Sequence, residues 1–361
     1  MMEILKGWLR RYFSDPQIAI LAVLLGAGFI LIFMLGDLLT PVFLSIIIAY
    51  LLEGMTAKLE QWHMPRLAAV LLVFTIFIAC LLVLIIWLLP MLSRQIADLI
   101  QNLPYMVSRG RTELMHLPDK YPDFISRTQI NQIIDYLTTE LTRVGQYIVS
   151  ISLASVRGLI TLLVYSILVP LLVFFFLKDK TLILEWFKSF LPEERSLVNE
   201  VWHEVNLQIG NYVRGKIWEI LIVWGVTYIT FILLDLPFNM LLSFFVGLSV
   251  LIPYIGATVM FLPVGLIAFF EWGWGGPLAY TMIALGIIQA LDGNLLVPLL
   301  LSGVVNIHPV AIIVSVLLFG GLWGLWGLFF AIPLATLFHA VVKAWLQSSR
   351  RVKDSDLPTS D

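Results

Sequence analysis

The sequence predicts an all-α polytopic membrane protein with about eight transmembrane helices. Several C-terminal helices should be broken or re-entrant, and an extramembrane helical region should separate spans 3 and 4. Three observations carry this expectation. Of 361 residues, 60% are hydrophobic and only 13% charged, with mean hydropathy +0.95, whereas a soluble domain carries about 25% charged residues. The apolar residues fall in runs near the length of about 20 that a helix needs to cross a bilayer. Polar residues collect instead in one internal block and in short loops.

Composition also excludes function classes. A formal net charge of -2 gives no basic excess, so nucleic acid is not an expected partner. The single cysteine, Cys80, sits in an apolar run and reads as a small core hydrophobe. There is no phosphate-binding glycine loop, no serine elbow and no cysteine cluster. His203 and Glu204 in "WHEVN" lack the second histidine of a zinc-protease helix. The expectation is therefore a protein that is not an enzyme or an ATP-driven pump, with no catalytic residue, cofactor or metal site.

The elements follow in order. Lys6, Arg10 and Arg11 precede an apolar run that is too long for a signal-peptide core, so residues 17–35 read as a retained first span. A tight turn at Gly36-Asp37 leads to a second span at 37–52. The polar link "EGMTAKLEQWHMPR" precedes a third span at 67–90, closed by Pro90. Residues 1–90 thus form the first region.

Residues 91–150 are polar, with Arg94, Asp98, Arg109, Arg111 and Glu113 spread through them and prolines at 104, 118 and 122. Ile130, Ile133, Ile134, Leu137, Leu141, Val144 and Ile148 share one helical face. That helix should run into a fourth span at 155–177. Trp186, Phe187 and Phe190 against Lys180, Glu185 and Lys188 predict an interfacial amphipathic helix. Pro192-Glu193-Glu194 reads as the start of the next helix, and a fifth span follows at 217–234. Residues 151–216 thus hold span 4 and cytoplasmic amphipathic helices.

Residues 217–345 should hold spans 5–8. Three of their apolar stretches are interrupted by "LIPYIGA", "LDGNLLVP" and "GGLWGLWGLFFAIP". Such interruptions persist at membrane depth where protein or a water-lined cavity satisfies the freed backbone. Gly256 lies seven residues before Pro263, and Gly327 six before Pro333. This is an internal echo of the kind that points to a transporter's binding site, although coincidence would also produce it. Lysine and arginine counts place both termini, including the tail 346–361, in the cytoplasm and residues 91–150 outside it.

Asp292 is the sharpest candidate, the only acid this reading places deep in a span. Gln289 lies one helical turn before it, and Asn294 offers both a donor and an acceptor. The expected geometry is a broken helix, with Gly293 permitting the turn and Pro298 following it. Asp292 then either contacts a small solute or ion, or caps the second half-helix through backbone N–H groups. Tyr254 either lines the pathway or belongs to a structural break. His308 either responds to protons or, with Pro309, starts a helix. Gly320, Gly321, Gly324 and Gly327 allow close helix packing or form a hinge. Gly256 and Pro333 belong to the same hinge and packing set. Arg214 and Lys216 are either gate residues or positive-inside anchors, and anchoring is enough to explain them.

"VRGK" at 213–216, "VLIPYIGA" at 250–257, "QALDGNLLVPLL" at 289–300, "NIHP" at 306–309 and "GGLWGLWGLFFAIPLATL" at 320–337 together resemble the autoinducer-2 exporter family of bacterial membrane proteins. The family's aspartate–asparagine element falls on Asp292 and Asn294, its His-Pro on His308 and Pro309, and its Gly-x-x-Gly before a proline on Gly324, Gly327 and Pro333. The chain departs from the family at "LLEGM", where many members carry a proline. The resemblance implies a permease or secondary transporter of the bacterial inner membrane, exporting a small hydrophilic solute of the autoinducer-2 kind or exchanging cations. It also implies a homo-oligomer, a pentamer in the family's pattern, with lipid and a small-molecule or ion substrate as partners. The alternative is a non-transporting oligomeric membrane scaffold whose polar breaks merely cap helices.

Overall fold

A computed structural model describes residues 16–115, 126–132, 134–136, 138–140, 143, 155–189, 196–253, 255–301 and 308–355. The protein is an all-α polytopic membrane protein. No strand occurs among the described residues, and five helices there are long and apolar enough to cross a bilayer. Shorter apolar helices accompany them. Many large apolar side chains on these helices, including Ile86, Leu262 and Leu299, are exposed. That distribution suits a hydrocarbon solvent, where helices satisfy every backbone group internally and apolar side chains face outward.

Helix α1 (Pro16–Gln61) is 46 residues long and continuous. It corrects the turn expected at Gly36-Asp37. A helical glycine is less favourable than alanine by only about 1 kcal/mol, too little to break a helix by itself. Helix α2 (Arg66–Val83) passes through a π turn at Leu84–Leu88 into α3 (Leu89–Met115). Pro90 therefore does not end the third span. Proline lacks an N–H and its ring crowds the carbonyl four residues earlier. The wide turn just before it, closed by the Leu89 N–H on the Leu84 carbonyl, makes room without stopping the helix. Then come α4 (Ser155–Lys178), α5 (Lys180–Ser189) and α6 (Ser196–Leu233). Next are α7 (Asn239–Ser249), α8 (Ile255–Trp272) and α9 (Gly276–Leu291). A second π turn (Asp292–Leu296) leads to α10 (Val297–Leu301), and α11 (Pro309–Ser355) is last.

The chain divides into two compact units. One comprises Met1–Phe74, Leu168–Gly215 and Leu301–Asp361. Here Arg66 joins three helices by its guanidinium, donating to Glu60 at 3.2 Å, to Glu53 at 3.3 Å and to the Leu177 carbonyl at 2.6 Å. Lys180 of α5 donates to the same Glu53 at 2.9 Å. Tyr212 is fully buried and donates to the Phe329 carbonyl at 3.2 Å. The expected amphipathic helix is α5, with Leu182, Trp186 and Phe187 exposed; Phe190 and the Pro192 helix start lie outside the described residues.

The other unit comprises Thr75–Ile167 and Lys216–Leu300. Its core gathers Met106 of α3, Val223 and Phe231 of α6, Val246 of α7, Val264 and Ala268 of α8, and Leu285 and Ile288 of α9. Residues 127–132 begin a helix with a reciprocal cap: the Ser126 N–H donates to Gln129 Oε1 at 3.0 Å, and the Gln129 N–H donates to Ser126 Oγ at 3.2 Å. Ile130 and Ile134 of the expected apolar stripe are buried; Ile133, Leu137, Leu141, Val144 and Ile148 lie outside the described residues.

Two interruptions resemble each other. In the second unit a turn at 250–253 follows α7, and Gly256 at the start of α8 sits against the Ser249 carbonyl oxygen. In the first unit α11 is kinked at Gly324, with φ 59° and ψ −133°. Gly327 sits against the Phe319 carbonyl oxygen just beyond that kink. Each glycine opens the second arm of its pair, and each second arm contains the proline of the echo, Pro263 or Pro333. A left-handed φ with that ψ is open to glycine alone.

Candidate functional site

One face of α6 carries Lys216, Glu219, Val223 and Thr227, spaced by three or four residues and all buried. One face of α9 and its π turn carries Thr281, Leu285, Ile288 and Asp292 in the same rhythm, also buried. Val223 of the first face and Leu285 and Ile288 of the second belong to one core cluster. This packing brings the polar residues together. Lys216 Nζ donates to Glu219 Oε1 at 2.7 Å, with side-chain exposures of 3% and 1%. Asp292, 9% exposed, interacts electrostatically with both Lys216 and Glu219.

The cluster is incompletely satisfied. Glu219 Oε2, Asp292 Oδ1 and both amide atoms of Gln289 are buried without a hydrogen-bond partner. A buried polar atom left unpaired costs about 1–3 kcal/mol, more when charged. Four such atoms on three side chains call for partners beyond their own chain, ordered water included.

The backbone at Asp292 differs from the expected broken helix. Asp292 is helical, with φ −58° and ψ −57°, and the chain continues through the π turn into α10. The Val297 N–H bonds the Asp292 carbonyl, a span of five residues. Half-helix ends do not meet here, and Gly293 is helical rather than a turn residue. The cause is Pro298, which stands two residues after this π turn as Pro90 does after the first. A π turn widens the helix by one residue and often accompanies function. Asp292 Oδ1 is buried without a hydrogen-bond partner, so this oxygen caps no backbone N–H among the described residues.

Other expected members separate from this cluster. Asn294 is exposed, and its Nδ2 donates to the Ala290 carbonyl at 2.8 Å, so its amide is tied to its own helix. His308 belongs to the other unit. It is exposed and its Nδ1 accepts the Val310 N–H at 3.3 Å, the geometry of a helix start. Gly324, Gly327 and Pro333 also belong to that unit. Gly256 and Gly293 belong with Asp292 to the second unit, and Pro298 is exposed beside the π turn. Tyr254 lies outside the described residues.

Sequence reasoning passed over Glu219 and misread Lys216. Lys216 is not a surface anchor but a buried ion-pair partner, and Asp292 is not the only acid inside a long apolar helix. The available signal was the i,i+3 spacing of Lys216 and Glu219 ahead of "ILIVWGVTYITFIL". Lys216 was counted with the preceding loop, which hid its acid.

The comparisons with known proteins agree in kind. The model of the AI-2E family transporter matches residues 18–347. The chain is 45% identical over 345 residues to an Escherichia coli K12 protein named "Putative permease PerM", covering 96% of this chain and 98% of that one. It is 26% identical over 320 residues to the Bacillus subtilis "Putative transport protein YueF", covering 86% of this chain and 84% of the relative. A Thermotoga maritima "Putative transport protein" is 23% identical over 344 residues, covering 94% and 97%.

Proposed function

The chain belongs to the AI-2E transporter family, and on that footing we propose that it is a secondary transporter of the bacterial inner membrane whose solute passes the Asp292 cluster. The observation that supports this is the set of unpaired buried atoms on Glu219, Gln289 and Asp292. Asp292 and Glu219 lie well inside the apolar helices Gly276–Leu301 and Gln208–Leu233. Unpaired polar and charged groups at membrane depth are expensive and mark transport pathways by default.

The solute that fits is small and hydroxyl-rich, of the autoinducer-2 kind. Carboxylate oxygens accept from hydroxyls, and the Gln289 amide both donates and accepts. Lys216 is already engaged by Glu219, so the cluster offers no free cation to an anionic solute. Both termini are cytoplasmic in this reading, and the protein works as a homo-oligomer.

Efflux of autoinducer-2 from proteoliposomes tests it. Wild-type protein should release the compound faster than empty liposomes. Asp292→Asn keeps size and much of the hydrogen bonding, so it should reconstitute equally well and lose most of that flux. Normal flux through Asp292→Asn would refute a role for the charge. Wild-type flux no faster than that of empty liposomes would favour an oligomeric scaffold.

A further inference from the structure

We infer that the solute meets a second station on α6, where Thr227 and Trp224 hold its oxygen atoms. The inference rests on the transport reading above and adds two residues that the charged cluster does not contain. Thr227 is 0% exposed, and its Oγ1 has no hydrogen-bond partner among the described residues. In a helix a threonine hydroxyl has a ready acceptor, the carbonyl four residues earlier. The hydroxyls of Thr56, Thr112, Thr138, Thr139, Thr230 and Thr281 all donate to that carbonyl. Thr230 does so on α6 itself, at 2.8 Å. Thr227 forgoes the Val223 carbonyl and keeps its hydroxyl free on a buried face.

Trp224 lies three residues before Thr227 and is its neighbour on the helix surface. Its indole N–H is also buried and unpaired. The ring packs edge-on against Phe244 of α7 at 5.9 Å, and Gly247 leaves α7 room to meet the Trp224 Cα and Cβ. The indole is therefore held in place by packing alone. The two levels of α6 differ in chemistry. Glu219 Oε2 accepts, the indole N–H only donates, and the threonine hydroxyl does both. A cation has nothing to coordinate on an N–H. A hydroxyl can donate to Glu219 and accept from Trp224 or Thr227, so a neutral polyol is the class that uses both levels. Thr227 lies about 12 Å along the helix from Glu219, too far for one small solute to touch both. The stations are occupied in turn.

Autoinducer-2 flux and thiol labelling of the full-length protein in proteoliposomes test this. Thr227→Val keeps the side chain's shape and removes only the hydroxyl. Deleting an unpaired buried polar atom does not weaken a fold, so the variant should unfold at the wild-type temperature or above it. Its flux should nevertheless fall roughly tenfold, the loss of one hydrogen bond to the solute. Thr227→Ser restores a hydroxyl and should recover much of that flux. Thr230→Val, which removes a hydroxyl already bonded to its own helix, should transport as wild type does. In a Cys80→Ala background, Thr227→Cys should react with a small hydrophilic methanethiosulfonate despite its burial, and autoinducer-2 should slow the reaction. Normal flux through Thr227→Val, or a Thr227→Cys protein that stays unreactive, would overturn the inference. With wild-type flux intact and lost in Asp292→Asn, either result would leave the proposed pathway standing. Wild-type flux no faster than that of empty liposomes would refute both.

Discussion

Gly256→Ala and Gly327→Ala should each leave little correctly folded protein in the membrane, while Gly321→Ala should be tolerated. A Cβ built on Gly256 would fall within the Ser249 carbonyl oxygen, and one on Gly327 within the Phe319 carbonyl oxygen. Both obstacles are backbone, held by their own helices, so relief requires moving one arm of the pair off the other. The overpacking penalty for core methylenes is about 1–3 kcal/mol where side chains can shift, and here no side chain can yield. Gly321 has nothing within 4 Å of its Cβ direction. Alanine there gains about 1 kcal/mol of helix propensity. Detergent-extracted protein measured by size-exclusion profile and thermal unfolding checks the set. A Gly256→Ala protein with the wild-type profile and unfolding temperature would show that the close approach at Ser249 is not required.

The same glycines show how much of the fold could be read beforehand. Apolar run length located the long helices, because in lipid each must satisfy its own backbone. Interruption was legible but its form was not. Pro90 read as a stop and Pro298 as part of a break, yet both follow π turns that absorb the proline without breaking the helix. Whether a proline ends a helix or widens it depends on what packs around the turn, which no local pattern contains. Gly36-Asp37 read as a turn for the same reason and lies inside α1. Gly256 and Gly327 were picked out by spacing from their prolines, while the carbonyls they accommodate became visible only with both arms in place.

The candidate site was half legible. Asp292 and Gln289 stood out because a polar residue in an apolar run needs a reason. Glu219 did not, because Lys216 three residues earlier made the segment look like the end of a charged loop. Burial decides between an anchor and an internal pair, and burial follows from α6 turning Val223 and Thr227 to the same face. Asn294 was grouped with Asp292 by proximity in sequence, but two residues apart on a helix point in nearly opposite directions.

Lys216→Met should be the most damaging single change in the site, and the identity of its rescue is diagnostic. Removing the ammonium leaves Glu219, 1% exposed, without the donor at 2.7 Å that it now has. Breaking a buried pair on one side costs about 3–5 kcal/mol, because the other charge stays behind. Asp292 makes matters worse, since its carboxylate already interacts with Glu219 and no cation would remain between them. Glu219→Leu should be milder. It strands Lys216, but Asp292 is within electrostatic reach and becomes its counter-ion. The double variant Lys216→Met/Glu219→Leu removes both charges in favour of apolar groups, a replacement that is often neutral or stabilising. Thermal unfolding of the four proteins forms a double-mutant cycle. The expected order is wild type and double variant together, then Glu219→Leu, then Lys216→Met well below. Equal damage from the two single variants would mean that Asp292 cannot replace Glu219, which would remove it from the charge cluster. A Lys216→Met protein as stable as wild type would mean that Glu219 needs no counter-ion, and the buried pair would then have no structural role.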